Sequence, residues 1–458
     1  MKDICLLNYS VKGIKTLDQL VSLSFYKKTI SKNLDTQKYN IKGIYGMNGS
    51  GKSGIVTSVE ILRNLLTDPG YLNNPIVQKN LDAIINKKTK ELFIETEYMV
   101  EAEGELGLFK YSVTLSRDIT GKYTISHECL STKKATSKSE YMETIFEVSG
   151  GKIVHVYERM ERNEFAKELS NKTMNLLTTA STSALFYEKF LIPAMKENKE
   201  NADFMWACIC LLYIFGQKLH VYLEQSDDHR EYVAQNTLEC FEDGEKFNVE
   251  MNSLIHEYLL MDNDCINMIS DTGNIVSQET YKHFERTVGR LYEFLRIFKS
   301  DLQGIEIEKK ENRNLLVCDL VMNYDSYKIH AEYESTGIKK LIRLFAYLNE
   351  MVQGGIVFID EFDSNLHDVY LCALLEYLME YGEGQLCFTT HNVGPMDVLK
   401  QRKKSIDFLS EDHQIYQWVK SGNYSPSNLY RNGMIEGSPF NVDSIDFIGV
   451  FGSGKGAE

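Results

Sequence analysis

The sequence predicts an α/β fold: a head with a mixed sheet and a β-rich lobe, split by a helical insertion. Three observations predict it: a phosphate-loop motif near the N-terminus, an acidic pair ending an apolar strand about 300 residues later, and a helical stretch between them. The motif is Gly46-Met47-Asn48-Gly49-Ser50-Gly51-Lys52-Ser53, which matches G-x-x-x-x-G-K-[ST] at each fixed position. A strand-like run (39–45) precedes it and a helix-like run (54–66) follows, the context the motif requires. With average residue usage the pattern arises by chance in roughly 0.02 of chains this long.

The chemistry follows from the residue types. Gly46 and Gly51 permit backbone angles and a close approach that a Cβ blocks. Successive N–H groups from Asn48, Gly49, Ser50 and their neighbours then surround phosphates at the positive end of a helix. Lys52 is expected to reach the β- and γ-phosphates of ATP, and Ser53 to ligate Mg²⁺.

Around this loop, residues 1–135 read as the N-terminal lobe. The runs 92–98 and 108–115 alternate with a period of two and are rich in β-branched and aromatic residues. Residues 136–303 read as a mainly helical insertion, with no proline between Pro193 and Pro395. Its apolar run 204–215 falls well short of the roughly 20 residues that span a bilayer, and is expected to be a buried helix. Tyr281, Phe284, Val288, Leu291, Leu295, Phe298 and Leu302 recur at steps of three and four. That stripe reads first as a core helix in a bundle, and second as a coiled-coil arm or dimer seam.

Residues 304–458 read as the C-terminal lobe. Strand-like runs at 305–307 and 315–321 lead to Glu334-Ser335-Thr336-Gly337-Ile338-Lys339-Lys340-Leu341, which opens a helix. The apolar strand Ile356-Val357-Phe358-Ile359 then delivers Asp360 and Glu361 to its carboxyl end, where open α/β sheets bind ligands. Asp360 is placed to hold the Mg²⁺ shell opposite Ser53, and Glu361 to sit beside the attacking water. Beyond them, Leu386-Cys387-Phe388-Thr389-Thr390-His391-Asn392 is a strand ending in a histidine. The tail run 445–451 is apolar and is expected to dock back on the head.

Composition limits the alternatives. A chain of 458 residues, 43% hydrophobic and 25% charged, is too long for one core, so two or three packed units are expected. A formal charge of −15 argues against a broad nucleic-acid surface, because such binding rests on Lys and Arg neutralising phosphates. The candidate basic clusters for such a surface are Lys87-Lys88-Thr89-Lys90, Lys133-Lys134 and Arg402-Lys403-Lys404. Nine scattered cysteines without zinc spacing read as free thiols, and the absence of an apolar leader suggests a cytoplasmic protein.

Alone, Ser335-x-Gly337 reads as a helix N-cap and His391 as a core histidine. In this order, with Asp363-Ser364-Asn365-Leu366-His367 between them, they resemble the signature motif, D-loop and switch histidine of ABC-type ATPases. More narrowly, the chain is similar to the SMC/RecF/OLD branch, in which a helical insertion separates phosphate loop from signature. Within that branch it looks like the stand-alone ATPases of bacterial anti-phage abortive-infection systems. The resemblance covers both lobes, about two thirds of the chain, and says little about residues 140–300.

The resemblance implies an ATP-bound head dimer in which Ser335 and Gly337 of one protomer touch the γ-phosphate held by the other. It implies catalytic roles for Glu361 and His391, and a D-loop contact through Asp363. The family's Q-loop glutamine has no assignable counterpart, Gln78 being set aside, and the signature lacks a second consecutive glycine. Slow or partner-gated hydrolysis is therefore expected. As a partner the resemblance suggests a separately encoded toxic effector, a nuclease of Toprim or HNH type, because only 67 residues follow His391. A phage protein is the expected trigger. An SMC- or RecF-like DNA clamp is the alternative, and a non-hydrolysing scaffold a third that Glu361 argues against.

Overall fold

The computed structural model describes residues 4–27, 30, 35–102, 105–157, 173–187, 204–224, 233–234, 269–312, 315–419 and 424–438. Among them three sheets form. The first is antiparallel, in the order β2-β1-β4-β5-β6-β7-β8: Val21–Ser24, Ile4–Lys12, Glu91–Ala102, Glu105–Arg117, Tyr123–Lys134, Glu143–Ser149 and Lys152–Val156. The second, in the order β18-β17-β3-β16-β15-β9, comprises Ile415–Gln417, Ile406–Leu409, Ile41–Gly46, Gln385–Thr389, Ile356–Ile359 and Leu219–Tyr222. It is parallel except at the edge pair β17–β18. The third runs β10-β11-β13-β12: Val233–Ala234, Asn274–Ser277, Leu315–Tyr324 and Leu302–Asn312, with β14 (Lys328–His330) paired to β13.

Sequence explains the difference between the first two sheets. β6 alternates buried and partly exposed residues, as suits a sheet with one covered face, whereas β15, β16 and β17 are buried throughout. Helices α1 (Lys52–Thr67), α2 (Pro75–Ile84), α3 (Thr182–Phe186) and α4 (Phe204–Lys218) share one core with the antiparallel sheet. Helices α5 (Tyr281–Phe298) and α6 (Thr336–Val352) cover the third sheet. Helices α7 (Asp368–Tyr381), α8 (Gly394–Leu399) and α9 (Pro426–Arg431) pack with α6 on the other face of the parallel sheet.

One side chain stitches the two large sheets together. The Gln385 amide accepts from Leu6 N–H at 2.7 Å and donates to Leu6 C=O at 3.0 Å. Leu6 stays opposite Tyr98 of β4, and β2 pairs with β1 only from Asn8 to Val11, so the amide bonds Leu6 where the β2 pairing has ended.

Strand placement departs from the sequence reading in two places. β7 and β8 extend the N-terminal antiparallel sheet, and β9 joins the parallel sheet beside β15, although all three lie within the span 136–303 assigned to an insertion. The run 204–215 is a buried helix, as expected, and its Phe215 stacks on Tyr98 with centroids 4.2 Å apart. The apolar stripe of α5 buries Phe284, Val288, Leu291 and Leu295 against the third sheet and α6, so it is a core helix and not an arm. Within the tail, Tyr430 of α9 packs on Tyr45 and Phe408. The run 445–451 lies outside the described residues.

Candidate active site

Three neighbouring parallel strands bring the candidate residues together at their carboxyl ends. β3 leads into the loop 47–51 and α1, β15 ends at Asp360, and β16 ends just before Thr390 and His391. Gly51, with φ +107°, begins α1, and a Cβ there would strike the Leu17 side chain. Asn48 and Gly49 are exposed at the loop tip, while Ser50 and Lys52 are buried and Ser53 half-buried.

Lys52 folds back on its own loop. Its Nζ donates to Gly46 C=O at 2.8 Å and to Met47 C=O at 3.0 Å. Burial pushes its pKa down to about 8, although Asp360, Glu361 and Asp363 pull the other way. Those three carboxylates therefore lie within Coulomb reach of the ammonium. The buried Ser50 Oγ has no hydrogen-bond partner, and a Cβ placed on Gly49 would meet nothing within 4 Å. Ser50 Oγ is thus a buried donor without a partner at the start of α1, which suits a phosphate oxygen.

The β15 end is held from both sides. Thr389 Oγ1 donates to Asp360 Oδ1 at 2.6 Å and accepts from Glu361 N–H at 2.8 Å. Asp360 N–H donates to Tyr222 C=O of β9 at 3.0 Å. Glu361 has φ +49° and Asn365 φ +60°, two of the non-glycine residues in the left-handed region. Such conformations persist where the surroundings enforce them. His391 donates its backbone N–H to Asp363 Oδ1 at 3.4 Å. Burial first and the Lys52 charge second hold its pKa below the ordinary histidine value, outweighing Asp363, Glu361 and Asp360.

Ser335 and Gly337 lie elsewhere. Ser335 caps α6, its Oγ accepting from Ile338 N–H at 3.4 Å, and is exposed with Thr336. Gly337 abuts the loop after β15, where an added Cβ would sit 2.7 Å from Asn365 C=O. Among the described residues no hydrogen bond joins either residue to the phosphate loop of its own chain. Gln78 is also apart from the site: it bonds Leu72 C=O and both backbone groups of Tyr123, a purely structural role.

Sequence reasoning missed four participants. Thr389 and Lys340 stand inside quoted motifs but carried no assigned role, and Lys15 lies within Coulomb reach of Asp360 and Glu60. Glu224 follows β9 and accepts from Ser364 Oγ at 3.1 Å. Their contacts are long-range, so no local pattern announces them.

Comparison with known proteins adds a partial match. Residues 218–397 match the family model described as AAA domain, putative AbiEii toxin, Type IV TA system. A solved structure of the recombination mediator protein RecF with a bound ATP analogue, described as part of the RecFOR pathway, is similar at a TM-score of 0.37 with 12% identity. That alignment covers 91% of this chain and 99% of the other. No curated protein matches. The chain thus carries a phosphate-loop sequence and strand-end carboxylates on a parallel sheet, and from 218 to 397 it is similar to a family of AAA domains.

Proposed function

We propose that the protein is an ATP hydrolase that closes as a head-to-head dimer on ATP and acts as the sensor of an anti-phage defence system. The observation that carries the hydrolase reading is the convergence of Lys52, Asp360, Glu361 and His391 at adjacent strand ends. Lys52 exchanges its loop carbonyls for phosphate oxygens when ATP enters. Glu361, fixed by Thr389, takes a proton from the attacking water. His391, held neutral at pH 7, accepts or donates a hydrogen bond at the γ-phosphate.

Ser53 and Asp360 are the residues that would hold Mg²⁺. Among the described residues no group of three or more His, Cys, Asp or Glu forms a metal cage. One hydroxyl and one carboxylate fit an ion that keeps waters and phosphate oxygens in its shell. Bound there, the ion would neutralise charge on the transferring phosphate.

The exposed Ser335–Gly337 edge, unbonded to its own phosphate loop, supports a composite site completed by the partner protomer. The defence role draws support from the description of the matched family, a putative AbiEii toxin of type IV toxin–antitoxin systems. A separately encoded effector is the partner proposed. The DNA-clamp reading has weaker support. Lys87 pairs with Asp82, Lys88 with Asp18, and Lys404 bonds Ser24 and Tyr26, so these basic clusters are engaged locally.

The test is Glu361→Gln. The variant binds ATP, accumulates as an ATP-dependent oligomer in size-exclusion chromatography, and loses turnover by about 100-fold or more, the scale of a missing general base. Parental hydrolysis rates in that variant overturn the reading. For the role, the product of the adjacent gene co-purifies. Salt-sensitive DNA binding without such a partner favours the clamp.

A further inference from the structure

A buried lysine beside the candidate site holds a residue in the left-handed region, Glu361. Lys340, on the second turn of α6 and only 2% exposed, reaches across to the loop after β15. Its Nζ donates to Glu361 C=O at 2.6 Å and to Ser364 Oγ; Ser364 Oγ in turn donates to Glu224 Oε2 at 3.1 Å. Glu361 is thereby clamped at both peptide groups, its N–H by Thr389 and its C=O by Lys340 and Ser364 N–H. A β-carbon residue at φ +49° costs about 1–2 kcal/mol unless such contacts enforce it.

The same helix carries the candidate signature. Ser335 and Gly337 lie within five residues of Lys340 on α6, and Gly337 and Thr336 touch Asn365 on the far side of the same loop. On its outer flank α6 is tied down by Arg343 to Asp271, at 3.3 Å. Three elements distant in sequence therefore meet at one ammonium: the signature helix, the loop after β15, and the end of β9.

We propose that Lys340 is a positioning residue that couples the signature helix to Glu361, setting the carboxylate in its working orientation through the chain Lys340–Ser364–Glu224. This deepens the hydrolase reading and rests on it. When a partner nucleotide engages Ser335 and Gly337, the helix end it pulls on is the end that holds Glu361. The buried ammonium bonds both Glu361 C=O and Ser364 Oγ, so displacement of the helix end is passed to that loop.

The test compares Lys340→Met, Lys340→Arg and Ser364→Ala in the full chain. Lys340→Met keeps the length and apolar stem but removes both hydrogen bonds. It is expected to lower kcat by at least about tenfold, the scale of a misplaced catalytic group, with ATP KM within about twofold. Lys340→Arg restores part of the lost kcat, and Ser364→Ala gives a smaller loss in kcat alone. Lys340→Met combined with Ser364→Ala is no worse than Lys340→Met, because both cut one chain. A folded Lys340→Met protein with parental kcat overturns the proposal, as does an equal loss in kcat and ATP affinity, which marks a structural role. Should Lys340→Met fail to fold, parental kcat in Ser364→Ala overturns it. Failure of the underlying hydrolase reading shows separately, as parental turnover in Glu361→Gln.

Discussion

Two buried lysines flank the end of β15, and they are held in opposite ways. Lys52 hydrogen-bonds only carbonyls five and six residues away in its own loop, and reaches Asp360, Glu361, Asp363 and His391 through charge alone. Lys340 bonds groups 21 and 24 residues away, and through Ser364 a carboxylate 140 residues from that serine. In the proposed hydrolase the first arrangement is an exchangeable one, with phosphate oxygens taking the place of carbonyl oxygens. The second is a fixed junction, because the groups it joins come from three separate elements. Under the proposed mechanism one side of the site binds nucleotide and the other orients Glu361.

The largest effect that separates the two sides is on nucleotide affinity. Lys52→Ala removes charge-assisted bonds worth about 1.5–3 kcal/mol each, so ATP affinity in a fluorescent-nucleotide titration falls by at least about tenfold. Lys340→Met leaves that affinity unchanged. The Lys52 effect also has a pH signature. Its ligand-free pKa of about 8 means the charged form prevails below pH 8 and is lost as pH rises through it. Affinity then falls roughly tenfold between pH 7 and pH 9 in the parent, but not in Lys52→Ala. Equal slopes in the two proteins break the comparison.

A smaller effect sharpens the junction side. Asn365, at φ +60°, tolerates the left-handed region better than a β-branched residue does. Asn365→Val is expected to cost about 1–2 kcal/mol in urea unfolding, whereas Asn365→Gly stays near the parent. Equal stability of the two variants removes strain from the account of this loop.

The same contrast explains what was legible in the sequence. The phosphate loop is a local pattern, and Lys52 finds its partners within it, so both site and contacts can be read residue by residue. The apolar run of β15 likewise announced a buried strand with carboxylates at its end. β9 could not be read this way. Leu219-His220-Val221-Tyr222 follows α4 without a break, and its partner β15 lies more than 130 residues on. Four residues carry no usable period, so tertiary pairing alone makes them a strand. β7 and β8 were lost for a related reason, since their alternation is short and half-exposed. Lys340 is the instructive case. Its neighbours Ser335 and Gly337 stood out by pattern, while a lysine in a helix reads as solvent-facing until the loop it meets is known.

The central claim is that each nucleotide site is completed by a second protomer, and mixing two inactive variants tests it directly. Lys52→Ala disables the phosphate loop and Ser335→Arg blocks the signature edge, so neither alone hydrolyses ATP. In a mixed dimer one site combines the intact phosphate loop of one protomer with the intact signature of the other. With random pairing of equal amounts, turnover recovers to about a quarter of the parental rate. Turnover that stays at the sum of the two separate variants contradicts the account and places the whole site within one chain.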